Sequence, residues 1–128
     1  MSDEISNVLK MISILEVTIK YLEENKIKIV DEATKNILLN NHIYEEELKN
    51  NDNLDKFKKS IINHIQWVLD DLYNPNINFN DYKFQEINIS KAYIDIYKEI
   101  NKIILNSDTD QEVKEILQDY FYALSKIF

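Results

Sequence analysis

The 128-residue chain contains no glycine and a single proline, Pro75. Any backbone position that needs a positive φ must therefore be filled by a residue carrying a Cβ, for which that region is strained. Asn is the next choice after Gly, because its short amide tolerates the left-handed conformation. Asn25, Asn50, Asn74 and Asn106 stand close to where apolar-periodic segments stop, and we read them as the C-caps of helices.

Five segments carry helical periodicity. The first is expected from Ser2 or Asp3 to about Glu24, with Ile5, Ile12 and Ile19 on one heptad position and Val8, Leu15 and Leu22 on another. The second is expected from Asp31, a good N-cap, to about Lys49. The third carries Leu54, Phe57, Ile61, Ile65, Val68 and Leu72 on one face and ends at Asn74-Pro75, since a residue before proline is pushed out of the helical region. The fourth opens at Ser90 and uses Tyr93, Ile96, Tyr97, Ile100, Ile103 and Ile104. The fifth opens at Asp108 with Gln111 completing a capping box, and buries Val113, Ile116, Leu117, Tyr120, Leu124 and Ile127.

Two stretches read differently. Lys26-Ile27-Lys28-Ile29-Val30 alternates as a short strand does. So does 76–89, where Ile77, Phe79, Tyr82, Phe84, Ile87 and Ile89 alternate with polar residues about Asn80-Asp81. This is either a small β-hairpin or a connection pinned by its aromatics; we favour the connection, because isolated two-stranded ribbons are marginal. The expectation is one all-α domain over 1–128, a bundle of about five helices.

Composition narrows the function. With 45% hydrophobic and 30% charged residues, the chain falls in the globular class. It has no cysteine, which excludes disulfides and thiolate metal sites. An acidic Met-Ser-Asp-Glu-Ile start and the lack of a long apolar run lead us to expect a cytoplasmic protein with no membrane span. The net charge is −8, and all 15 basic residues are Lys. No direct nucleic-acid binding is expected of such a surface, and without Arg there is no bidentate phosphate or guanine recognition. A basic protein partner would be steered toward it. The excess of Ile, Asn and Lys resembles the coding bias of an AT-rich bacterial or phage genome.

Catalytic templates fail one after another. His42 and Glu45 could share a helix face and a metal, but two ligands are too few. The Glu-x-x-His pairs of di-iron bundles are missing, since Leu39 precedes His42 and Ile61 precedes His64 at that spacing. Asp108, Asp110 and Glu112 begin like a calcium loop but lack its glycine and its distal Glu, and a capping role suits them better. Asp70 and Asp71 are adjacent helical residues pointing about 100° apart, which does not suit a shared proton. Glycine-rich phosphate loops are impossible, and no serine or cysteine nucleophile is supported. Small helical ribonucleases of the HEPN type use an Arg shortly before a His; this chain has no Arg. No enzymatic activity, cofactor or metal is expected.

Two surfaces remain. The first helix has a second apolar stripe, Ile14, Val17 and Tyr21, opposite its Ile/Leu seam, and the second helix spreads Leu38, Leu39 and Ile43 in the same way. A helix apolar on two sides is either central in its bundle or covered by a second copy in a homodimer. Trp67 lies about 140° from the core face of the third helix, among Ser60, Asn63, His64, Asp70, Asp71 and Asn74. It is either an interface anchor ringed by polar groups, with Ser60, His64, Asp70 and Asp71 facing a basic partner, or a packing residue covered by 77–89. The functional expectation is a small acidic module that occludes or neutralises a protein partner, as toxin-immunity proteins and phage-encoded inhibitors do. The alternatives are a homo-oligomeric scaffold built on the first helix, or a non-catalytic regulator of a nucleic-acid enzyme.

Overall fold

The computed structural model describes residues 2–48, 51–74 and 90–127, with the side chains of 2, 47, 51, 52, 90 and 127 left aside. Among the described residues five helices follow one another and no strand occurs: α1 Ser2–Asn40, α2 His42–Glu47, α3 Asn51–Tyr73, α4 Ser90–Leu105 and α5 Gln111–Ile127. The all-α bundle read from the sequence is what the chain forms. The alternating segment 76–89 lies outside the described residues.

The helix boundaries differ from those expected in one instructive way. The first expected helix and the first part of the second, to Asn40, are one continuous 39-residue helix, about 58 Å long, and the rest of the second is the separate α2. The strand-like stretch 26–30 lies inside it, because Ile29 and Val30 continue the buried stripe from Leu22 to Ala33 and Ile37 at helical spacing. A few residues of alternation are outvoted by a pattern three times their length. Asn25 is therefore not a C-cap; its amide donates to the Tyr21 carbonyl one turn back. Asp31 is not an N-cap either, and instead pairs with Lys58 of α3 at 3.2 Å. The helix breaks at Asn41, whose extended backbone and side-chain oxygen, accepting from the Ile43 N–H at 3.0 Å, start α2.

Asn74 and Asn106 directly follow α3 and α4, where the caps were expected. Their conformation is another matter: no described residue has a positive φ. Each simply donates its N–H one turn back, to the carbonyls of Asp70 and Lys102. After Asn106, Ser107 closes α4 by directing both its N–H and its hydroxyl to the Ile104 carbonyl. Asn50 lies outside the described residues. The α5 capping box is also corrected: Gln111 is the first helical residue, and the carbonyl of Asp110 accepts from the Lys114 N–H.

The helices enclose one contiguous apolar cluster, with α1 packed against α3, α4 and α5, and α4 most extensively against α5. The expected faces of α3, α4 and α5 supply it, joined by Leu69, Ala92 and Phe121. Two hydroxyls buried within α1, Thr18 and Thr34, are satisfied by the carbonyls of Ile14 and Val30.

Since Asn106 carries no left-handed strain, replacing it with Gly should bring no gain. Asn106→Gly is expected to lower stability by about 0.5 kcal/mol relative to Asn106→Ala, through added unfolded-state freedom. Urea unfolding of the two variants checks this; a more stable Gly variant would restore the left-handed reading.

Candidate functional site

On the polar face of α3, Trp67 and His64 are buried, while Asn63 and Asn74 are exposed. Trp67 is only 3% exposed, and its ring meets Tyr120 of α5 edge-on, with centroids 5.8 Å apart at 72°. His64 is 2% exposed, lies beside the rings of Tyr93 and Tyr97, and shares a hydrogen bond through Nδ1 with the Tyr97 hydroxyl. Ser60 is half-buried near Tyr93, whose hydroxyl is held above its ordinary pKa by burial. Asp71 accepts from the Tyr120 hydroxyl, and Asp70 from the Gln66 amide at 3.0 Å. Trp67, His64 and Asp71 are thus turned toward α4 and α5 instead of solvent, with Ser60 half-buried, whereas the Gln66–Asp70 contact lies within α3 at the surface. The exposed-anchor alternative is corrected: Trp67 is a packing residue with Tyr120 of α5 against it, and the cover by 77–89 lies outside the described residues. A projection of one helix shows polar neighbours; it does not show that tyrosines of two other helices supply their partners.

Of the second apolar stripe on α1, Ile14 and Tyr21 are half-buried and Val17 is 43% exposed. Tyr21 borders a polar cleft of about 660 Å³ between α1 and the end of α4, lined further by Lys28, Glu32, Glu99 and Lys102. There Asn36 donates to Glu99 at 3.0 Å. His42 and Glu45 stand 3.5 Å apart, both well exposed. Among the described residues no three His, Cys, Asp or Glu side chains gather as a metal would require.

The uncovered surface lies elsewhere. Residues 3–13 of α1 are all exposed, about three helical turns. They include Ile5 at 63%, Val8, Leu9, Met11 at 65% and Ile12. The heptad seam that packs into the bundle at Leu15, Ile19 and Leu22 thus runs on without cover toward Ile5. In the sequence Ile5, Val8 and Ile12 stand on the same apolar heptad stripe as Leu15, Ile19 and Leu22, with nothing in that stripe to mark them as uncovered. The signal lies beside it: Leu9 and Met11 flank this seam, making the apolar arc wider than a single packed face needs. Where this part of α1 approaches α5, a groove of about 380 Å³ is lined by Met11, Ile14, Leu15 and Ile116, with Glu112, Glu115 and Asp119 alongside. This end of α1 and its groove are the candidate site, and what they offer chemically is apolar contact beside negative charge.

Two measurements follow from the burial of His64 and Trp67. Burial lowers the His64 pKa from 6.5 to about 4. The unfolded chain then binds a proton that the folded chain resists, so stability is full above about pH 6.5 and falls as the pH drops toward 4, by on the order of 3 kcal/mol. His64→Gln should flatten that part of the stability-against-pH curve, and an unchanged slope would show that His64 is not the group responsible. Trp67 should emit blue-shifted fluorescence poorly quenched by iodide; emission like that of indole in water, from a monomer, would contradict its packing against Tyr120. No known protein family, curated protein or solved structure matches this chain.

Proposed function

We propose that the chain is a small acidic protein-binding module that occludes or neutralises a protein partner, in the manner of a toxin-immunity protein or a phage-encoded inhibitor, and that it works without catalysis in the cytoplasm. The observation that carries this reading is the uncovered end of α1. Ile5, Val8, Leu9, Met11 and Ile12 together expose on the order of 500 Å², a size at which apolar patches are commonly interaction sites. Water contact over that area is unfavourable, and cover by another surface removes it at about 25 cal/mol per Å². No described helix is long and apolar enough to cross a membrane, so a bilayer-spanning role does not account for these side chains. The net charge of −8 favours a partner that is basic or neutral over a nucleic acid.

A second reading, a homo-oligomer, draws support from one feature: Ile5, Val8 and Ile12 keep the heptad spacing of Leu15, Ile19 and Leu22, as a helix-to-helix seam would. Sedimentation of the purified chain separates the two.

Leu9→Asp and Met11→Asp place charges where side chains are already in solvent. Both variants are expected to unfold within about 0.5 kcal/mol of the parent while losing a saturable protein partner recovered from the native host. If both keep that partner at undiminished affinity, binding does not use this end of α1.

A further inference from the structure

We infer that the groove between the start of α1 and the first half of α5 receives an amphipathic helix with basic flanks, contributed by the partner protein. This rests on the protein-binding reading above and adds the chemistry of the occupant. The floor is apolar and comes from two helices: Met11, Ile14 and Leu15 of α1, and Ile116 of α5. Beside it Glu112, Glu115 and Asp119, all exposed, stand at i, i+3 and i+7 along one face of α5, a line about 10 Å long. The cation bordering the groove is Lys10, so three carboxylates face one ammonium.

The dipole of α5 explains only part of that line. A helix N-terminus favours acids in its first turn, which covers Glu112, but Glu115 and Asp119 lie one and two turns further on. An apolar trough with an acidic border is complementary to a helix that carries apolar residues at i, i+3, i+4 and i+7 and lysines or arginines beside them. Docking such a helix would extend the contact from the groove onto exposed Val8 and Ile12.

Charge also decides against a second copy as the occupant. The α1 segment that another copy would offer bears Asp3, Glu4 and Glu16 against Lys10, so acid would be set against acid, and like-charge juxtaposition is costly. The net charge of −8 repels a second copy and attracts a basic helix at long range.

The test uses the full chain and three synthetic helical peptides of about 20 residues. One has a Leu stripe flanked by Lys, the second the same stripe flanked by Glu, and the third Lys flanks with the stripe replaced by Gln. By fluorescence anisotropy at low salt, the first is expected to bind with micromolar Kd and the other two at least tenfold more weakly. Raising the salt from about 0.05 to 0.5 M should weaken the first severalfold, as screening shortens the reach of its charges. Glu115→Lys combined with Asp119→Lys should weaken it about tenfold, and Met11→Asp likewise, with unchanged melting temperatures. Equal binding of the Lys-flanked and Glu-flanked peptides overturns the charge match, and equal binding of the Leu and Gln stripes overturns the groove. A dimer in sedimentation that Met11→Asp dissolves makes a second copy the occupant and overturns the inference. So does peptide binding that arises only after Phe79→Asp and Phe84→Asp, which would identify residues 75–89 of the same chain as the cover. If Met11→Asp abolishes capture of a host protein while the Lys-flanked peptide does not bind, the basic-helix inference falls and the protein-binding reading stands. If neither Leu9→Asp nor Met11→Asp affects that capture, the reading of this face falls as well.

Discussion

The burial of one side of α1 from Leu22 to Ile37 is the contact on which the other helices depend. Leu22, Ile29, Val30, Ala33 and Ile37 are nearly or fully removed from water, and α3, α4 and α5 all pack on that helix. Each such side chain contributes on the order of 1.5–3 kcal/mol when fully covered, Ala less. A break near Asn25 would divide that surface between two independent helices, each free to reorient. Continuity through 25–30 lets a single rod organise three partners.

Interdigitated apolar side chains align the helices, and polar contacts at the rim reinforce that alignment. Tyr44 donates to Asp95, Tyr120 to Asp71 and Tyr73 to Glu23, so α2 is tied to α4, α5 to α3, and α3 to α1. The Asn36–Glu99 and Lys58–Asp31 contacts add α1 to α4 and α1 to α3. A hydrogen bond to a carboxylate is worth about 1.5–3 kcal/mol when sheltered and less in water, so the value of these contacts lies in reinforcing the alignment that packing selects. Burial and the bond to Asp71 both hold the Tyr120 phenol protonated far above its ordinary range, so it stays a donor. Tyr44 and Tyr120 suit this work, since each ring packs in or against the core while its hydroxyl reaches the edge.

This division explains what could be read in advance. The core faces of α3, α4 and α5 were legible because each is a long stripe at helical spacing, and Phe57, Ile61, Ile65, Ile96, Ile100 and Leu117 are all fully buried. The stretch 26–30 was misread because local alternation carries no knowledge of the Leu22 and Ala33 on either side that recruit it. What Trp67 and His64 pack against was not legible for a related reason. Their partners, Tyr120 and Tyr97, lie 53 and 33 residues further along the chain, and no pattern within α3 announces them. Candidate-site residues were hardest of all: Ile5, Val8 and Ile12 carry the same pattern as core residues, and only the end of the bundle separates the two.

The uncovered turns of α1 are continuous with turns clamped in the core. A free peptide of that length would be mostly coil, because the first helical turn must fix several dihedral angles for one hydrogen bond. Here that nucleation step is met inside the bundle, at Leu22 and beyond, and the helix needs only to propagate outward to reach Ile5. Turns that fray from Ser2 inward re-form by propagation, with no new nucleation step. A partner closing on these residues meets a surface already ordered, and little of its binding energy is spent on lost chain entropy.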